Sequence, residues 1–102
     1  MLELRPNCEF CDTDLPPDSP DALICTHECT FCAQCVAELL HDVCPNCGGG
    51  FQPGPVRPAL ARRPGVSRLD QPPSTRRVNT RFSPEEIEAF SAGVRDIPPA
   101  ER

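Results

Sequence analysis

Eight cysteines fall within the first 47 residues of this 102-residue chain, and none follows. Their order is Cys8-x2-Cys11-x13-Cys25-x3-Cys29-x2-Cys32-x2-Cys35-x8-Cys44-x2-Cys47. Cysteines with two to four residues between them commonly present two ligands to one tetrahedral ion, and four thiolates close a structural zinc shell. Eight thiols fill two such shells. Two assignments satisfy that count: neighbouring pairs share an ion in series, or the pairs interleave, first with third and second with fourth. A chain this short buries little apolar surface, so bound metal commonly supplies folding energy that the core lacks. A large core and a substrate cleft between two domains are excluded.

Other uses of the cysteines fit less well. A four-disulfide scaffold suits a secreted protein, yet Met1–Phe10 is polar, with Glu3, Arg5 and Asn7, and has no apolar signal run. The expected compartment is the cytoplasm, where thiols stay reduced. The longest apolar cluster, Val36–Leu40, is interrupted by Glu38 and is too short to span a bilayer, so no membrane partner is expected. Cys25-x3-Cys29-x2-Cys32 formally matches a three-cysteine iron–sulfur motif, but the chain cannot build the large barrel those enzymes use. Cys35 is followed by Val36, not by the Pro of ferredoxin-type sites. No βαβ unit surrounds a C-x-x-C, as a thioredoxin-like redox site requires. Gly48-Gly49-Gly50 does not form a phosphate-cradling motif and reads as a flexible exit. With no nucleophile–base set either, the chain is not expected to be an enzyme.

Charge divides the sequence into three. Residues 1–52 carry nine acids against Arg5 alone, a net of −8. Residues 53–82 carry Arg57, Arg62, Arg63, Arg68, Arg76, Arg77 and Arg81 against Asp70, a net of +6. Residues 83–102 carry −3, and the whole chain −5, with no lysine anywhere. The acidic first part is ill suited to phosphates, whose neutralisation dominates nucleic-acid affinity. The Arg-rich segment 57–81 is the candidate for nucleic acid, but it lacks interleaved aromatics for stacking on bases. The simpler expectation is a disordered, Pro-rich linker, solvated or drawn back onto the acidic part.

Local patterns fill in the units. Asp21–Cys25 and Thr30–Phe31 predict a short hairpin turning near His27 and Glu28. Ala33–Asp42 predicts a helix with Val36, Leu39, Leu40 and Val43 on one side. Pro6–Asp12 and Cys44–Gly49 read as metal-binding knuckles, where Gly48 relieves backbone crowding. Ser83, Pro84 and Glu86 predict a capped helix start, with Phe82 and Ile87 at staple spacing. Ile87, Phe90, Val94 and Ile97 then form a stripe before Pro98-Pro99 ends the helix. A lone helix of this length is marginal in water. Its stripe is expected to fold back on the first unit or to dock in a partner's groove. Phe10, Leu15 and Phe51 suit either a contact surface or a mini-core. The organisation expected is a two-zinc module over 1–52, a flexible linker over 53–82, a helix over 83–97 and a disordered tail over 98–102.

The segment Glu28-Cys29-Thr30-Phe31-Cys32-Ala33-Gln34-Cys35 resembles the RING stretch that leads from one ligand through a C-x2-C pair into a helix. Cys44-Pro45-Asn46-Cys47 resembles the closing C-P-x-C of the same family. The resemblance implies a small α+β, treble-clef module with two Zn2+ ions in a cross-brace. It assigns Cys8, Cys11, Cys32 and Cys35 to one ion and Cys25, Cys29, Cys44 and Cys47 to the other. His27 also fits RING-like spacing in place of Cys25, but eight thiols already complete both shells, so a turn histidine is expected. His41 is expected to suit the helix C-terminus and not to ligate.

Over Met1–Pro58, the stretches LELRPNCEFCDTDLPPDSPDA, ECTFC and CPNCGG resemble a small bacterial family of uncharacterised proteins with a domain of unknown function. That likeness supplies no activity. Eukaryotic RINGs recruit ubiquitin-conjugating enzymes through an apolar residue after the first ligand and a polar one after the last; here Glu9 and Gly48 stand at those places. The expected function is a non-enzymatic structural-zinc module that binds an unidentified protein. Nucleic-acid binding through 57–81 is the alternative, and a ubiquitin-ligase-like RING is a remote one.

Overall fold

The computed structural model describes residues 1–102. Its sheet has three short antiparallel strands in the order β2-β1-β3, with β1 at Ala22–Ile24, β2 at Thr30–Cys32 and β3 at Gln52–Pro53. β1 and β2 form the expected hairpin, pairing Ala22 with Cys32, Leu23 with Phe31 and Ile24 with Thr30. The turn closes with Glu28 at φ 65°, its N–H donating to Cys25 O. β3 was not legible in the sequence. It holds two residues and includes a proline, which only an edge position tolerates. It pairs Leu23 with Pro53 and Ile24 with Gln52, and Gly54 N extends the contact to Ala22 O.

Helix α1 follows β2 directly. It begins with an α-helical turn, Ala33–Cys35, and continues as a π-helical turn, Val36–Leu40. The helix therefore stops short of the expected Asp42. His41 caps it in the left-handed conformation, its N–H donating to Val36 O, and Asp42 is also left-handed. Asp42 is held there because its carboxylate accepts Phe51 N–H at 2.9 Å. The chain thus turns sharply enough to begin the second knuckle at Cys44.

The core lies between the sheet, α1 and the C-terminal helix. Phe31, Leu40, Val43 and Ile87 are almost wholly buried, and Val36, Leu15 and Phe51 nearly so. Phe31 and Phe51 meet edge to face, with centroids 5.6 Å apart. Six of the eight thiols are buried or half-buried in this same region. Leu15 and Phe51 therefore belong to a mini-core and not to an exposed contact surface.

Helix α2, Pro84–Ala92, is shorter than the expected 83–97. Its start matches the sequence reading: Ser83 Oγ accepts Glu86 N–H, and the Glu86 carboxylate accepts Ser83 N–H. Its buried face differs from the expected stripe. Ile87 and Ser91 are inside, whereas Phe90 and Ile97 remain exposed. One hydrogen bond explains the rotation: Ser91 Oγ donates to Leu40 O at 2.9 Å, meeting a carbonyl near the C-terminal end of α1. The expected disordered tail is a 3-10 turn, Pro99–Glu101, and Arg102 donates to Asp42 O and Gly48 O.

Beyond Pro53, the segment to residue 82 forms no helix or strand, as its prolines dictate, but it is not a free tether. It lies on the acidic module as a strap. Arg77 pairs with Asp12 at 3.0 Å and Asp14 at 2.7 Å, and Arg76 with Glu3 at 3.2 Å. Ser74 N donates to Leu4 O, and Thr80 N to Glu9 O. Arg57 donates to Leu2 O and to the carbonyls of Gln71 and Pro72. The fully buried Asn7 amide grips the strap at two points, donating to Val78 O at 3.0 Å and accepting Val78 N–H at 3.3 Å.

Two predictions follow from the strap. Asn7→Ala strips partners from buried polar groups and should cost about 1–3 kcal/mol. Limited trypsin digestion should then cut after Arg77 as readily as after the exposed Arg62; in the native chain Arg77 should be protected. Glu3 is held down at about 2, first by the hydrogen bond from Arg76, then by those from Ser74 and Arg5. A depressed carboxylate contributes stability above its unfolded value near 4.5 and loses it as pH falls toward 2. By NMR, the Glu3 carboxyl carbon should keep its ionised shift from about pH 6 to 4; titration near 4.5 would mean the strap is undocked.

Candidate metal centre

Three sharp turns deliver the thiols. In the first knuckle Asp12 N donates to Cys8 O and Cys8 N to Thr13 O. The second repeats both bonds: Gly48 N donates to Cys44 O and Cys44 N to Gly49 O. Each turn needs a left-handed residue just after its second cysteine, Asp12 at φ 63° and Gly48 at φ 80°. Glycine adopts this freely. Asp12 does so while its side chain accepts from Asn7 and Arg77. Between the knuckles, Cys25 and Cys29 close the hairpin turn, with Cys25 N donating to Cys29 O. Cys32 is the residue before α1, and its sulfur accepts Cys35 N–H at 3.4 Å.

The sulfurs of Cys8, Cys11, Cys32 and Cys35 all lie within 4.8 Å of one another. Four thiolates about 2.3 Å from a tetrahedral ion stand roughly 3.8 Å apart, and Cys11 Sγ and Cys32 Sγ are 3.8 Å apart. The donor chemistry and the spacing fit an ion of zinc's preferences. The sulfurs of Cys25, Cys29 and Cys44 form a second group by the same 4.8 Å measure. Cys25 also belongs to a third, overlapping group with Cys47 and the His27 imidazole. The pairs therefore interleave: the first knuckle meets the start of α1, and the hairpin turn meets the second knuckle. His41 joins none of these groups; its Nε2 faces Glu88 on α2 at 3.6 Å.

Thiols this close constrain one another's charge. Cys29 is drawn down to about 2, first by its hydrogen bond with Cys25, then by that with Cys44 and the donation of Asn46 Nδ2 at 3.3 Å. Cys25 is pushed up to about 11, chiefly by the same bond with Cys29. Cys44 rises through its bonds with Cys25 and Cys29. In the first group, burial pushes up Cys8 and Cys35. One thiolate in each cluster raises the cost of the next, and a divalent cation removes that cost by binding them together.

Polar residues around the first group escaped sequence reasoning. Glu9 has 2% exposure and is not on the surface where a RING partner contact would stand. Its carboxylate accepts Thr30 N–H at 2.6 Å and Arg5 Nη1 at 2.9 Å. Burial still pushes the Glu9 carboxyl up, partly offset by Thr30 and Arg5. Glu9 N donates to Thr30 O, so this residue ties the first knuckle to β2. The only hint in the sequence was that Arg5 is the lone base of the first 52 residues, four positions before Glu9.

A family model described as a protein of unknown function (DUF1272) matches residues 1–57, more than half of the chain. An uncharacterized protein of Rhizobium meliloti (strain 1021) is 68% identical over 59 residues, which cover 58% of this chain and 70% of that one. No solved structure matches. No helix is long and apolar enough to cross a membrane. The matched region holds all eight cysteines and ends within the strap's first residues.

If the clusters hold ions, metal binding supplies folding energy. Native mass spectrometry should find two zinc ions per chain, and a strong chelator should abolish the amide dispersion of residues 2–52. Cys8→Ser should remove one ion and His41→Ala none. Intact disulfides without metal, or a single iron-coloured cluster, would contradict this.

Proposed function

The chain belongs to the DUF1272 family, and we propose that it is a non-enzymatic module in which two structural zinc ions hold a small surface for binding another protein. The interleaved thiol groups carry the reading, because each ion would join segments that the chain alone leaves far apart. Closed thiolate shells are structural, whereas catalytic zinc keeps a position open for water or substrate. The cross-brace arrangement is RING-like in this reading, with the second ion held by Cys25, Cys29, Cys44 and a fourth donor.

A protein partner suits the surface better than nucleic acid. Arg57, Arg68, Arg76 and Arg77 are engaged with the chain's own carbonyls and acids, and Arg81 lies over Phe82. Phosphate binding would have to displace those contacts. Meanwhile Met1, Leu2, Val56 and Val66 line a shallow apolar groove where the N-terminus meets the strap, and all four are exposed. Exposed apolar patches of this kind mark interaction sites. The ubiquitin-ligase alternative loses its contact residue, since Glu9 is buried.

The test is affinity capture from the native cell with the zinc-loaded chain and with a Leu2→Asp, Val56→Asp variant. The same protein should be enriched by the first and lost by the second, while both retain two ions. Salt-sensitive recovery of RNA or DNA in its place would support the nucleic-acid reading and overturn this one.

A further inference from the structure

At the second thiol group the fourth position is contested. Cys25, Cys29 and Cys44 are all buried and lie within 4.8 Å of one another. Cys47 does not join that trio as a whole, although the C-x2-C spacing assigns it there; it lies within 4.8 Å of Cys25 and of a His27 ring nitrogen. By this measure Cys47 and His27 stand alike. Each is within reach of Cys25, neither completes the buried trio, and both are exposed. His27 is brought there by the turn itself. Its N–H donates to Cys25 Sγ at 3.3 Å, and Glu28 at φ 65° closes the loop behind it. Its imidazole has no hydrogen-bond partner in the chain, in contrast to His41, which faces Glu88.

We propose that the second centre has three fixed thiolates and a shared fourth position, completed by either Cys47 or His27. The reading rests on the two-centre module proposed above. Thiolate and neutral imidazole are interchangeable zinc ligands, at about 2.3 and 2.0–2.1 Å. An ion held by Cys25, Cys29 and Cys44 can therefore pass between the two outer donors without leaving the protein. Exchange at one corner makes this centre the one that gives up or accepts zinc. The first centre, where all four sulfurs already lie together, has no spare donor among the histidines.

Native mass spectrometry of zinc-loaded full-length variants tests this. Wild type, Cys47→Ser and His27→Ala should each hold two ions, and Cys47→Ser/His27→Ala should hold one. Cobalt-loaded Cys47→Ser should show the weaker thiolate charge-transfer band and shifted ligand-field bands of a three-sulfur, one-nitrogen site. Cys25→Ser/Cys29→Ser strikes the buried trio, leaves too few donors even with Cys47 and His27 together, and should lose the second ion. If Cys25→Ser/Cys29→Ser keeps both ions, the second centre itself has been misread. If Cys25→Ser/Cys29→Ser behaves as expected but Cys47→Ser alone also drops to one ion, or Cys47→Ser/His27→Ala keeps two, the shared position is wrong and the centre stands.

Discussion

Four thiols crowded around one point repel as soon as they ionise, and a divalent cation is what lets all four ionise together. Two groups of thiols here stand close enough together for that condition to apply. Few residues are available to bury, and the core is a thin layer around Phe31, Leu40, Val43 and Ile87. The cysteines make up much of what surrounds it. Because the groups interleave, neither ion would be a local clip. One would tie residues 8 and 11 to residues 32 and 35, the other the hairpin turn to residue 44. Closing loops of this length limits the unfolded chain more than a clip between neighbours would.

The second organising force is electrostatic and works at longer range in the sequence. The first half is strongly acidic, and thiolate shells would add more negative charge than two divalent ions cancel. The strap answers this with arginine: Arg76 and Arg77 lie on Glu3, Asp12 and Asp14. Exposed pairs of this kind are each worth little. The buried Asn7 amide and the main-chain bonds from Ser74 and Thr80 give them a fixed register. Asp12 serves both systems, since it is the left-handed residue of the first knuckle and the seat of Arg77. Strap and metal centre therefore share a residue, which places the basic segment against its own module.

The two knuckles were readable from spacing, because a C-x2-C pair has few other structural uses in a chain of this size. The hairpin and the Ser83 capping box were readable for the same reason, as both are set by residues close in sequence. What stayed hidden depends on partners far away. Whether thiol pairs act in series or interleaved is a question of chain path, and spacing permits both. The stripe Ile87, Phe90, Val94 and Ile97 had the right period, but Ser91 turns inward to reach Leu40 O, and periodicity takes no account of an unsatisfied carbonyl on another helix. Glu9 looked like a surface residue until Arg5 and Thr30 N–H were seen to satisfy it. The Pro-rich segment reads as loose because it has no regular structure, and its order comes from pairings some 60 to 70 residues away.

The central claim is the interleaving of the metal groups, and cadmium substitution followed by proton–113Cd correlation NMR addresses it bond by bond. One cadmium should couple to the β-protons of Cys8, Cys11, Cys32 and Cys35. The other should couple to those of Cys25, Cys29 and Cys44. A cadmium coupled to Cys8, Cys11, Cys25 and Cys29 together would place the pairs in series and contradict the account.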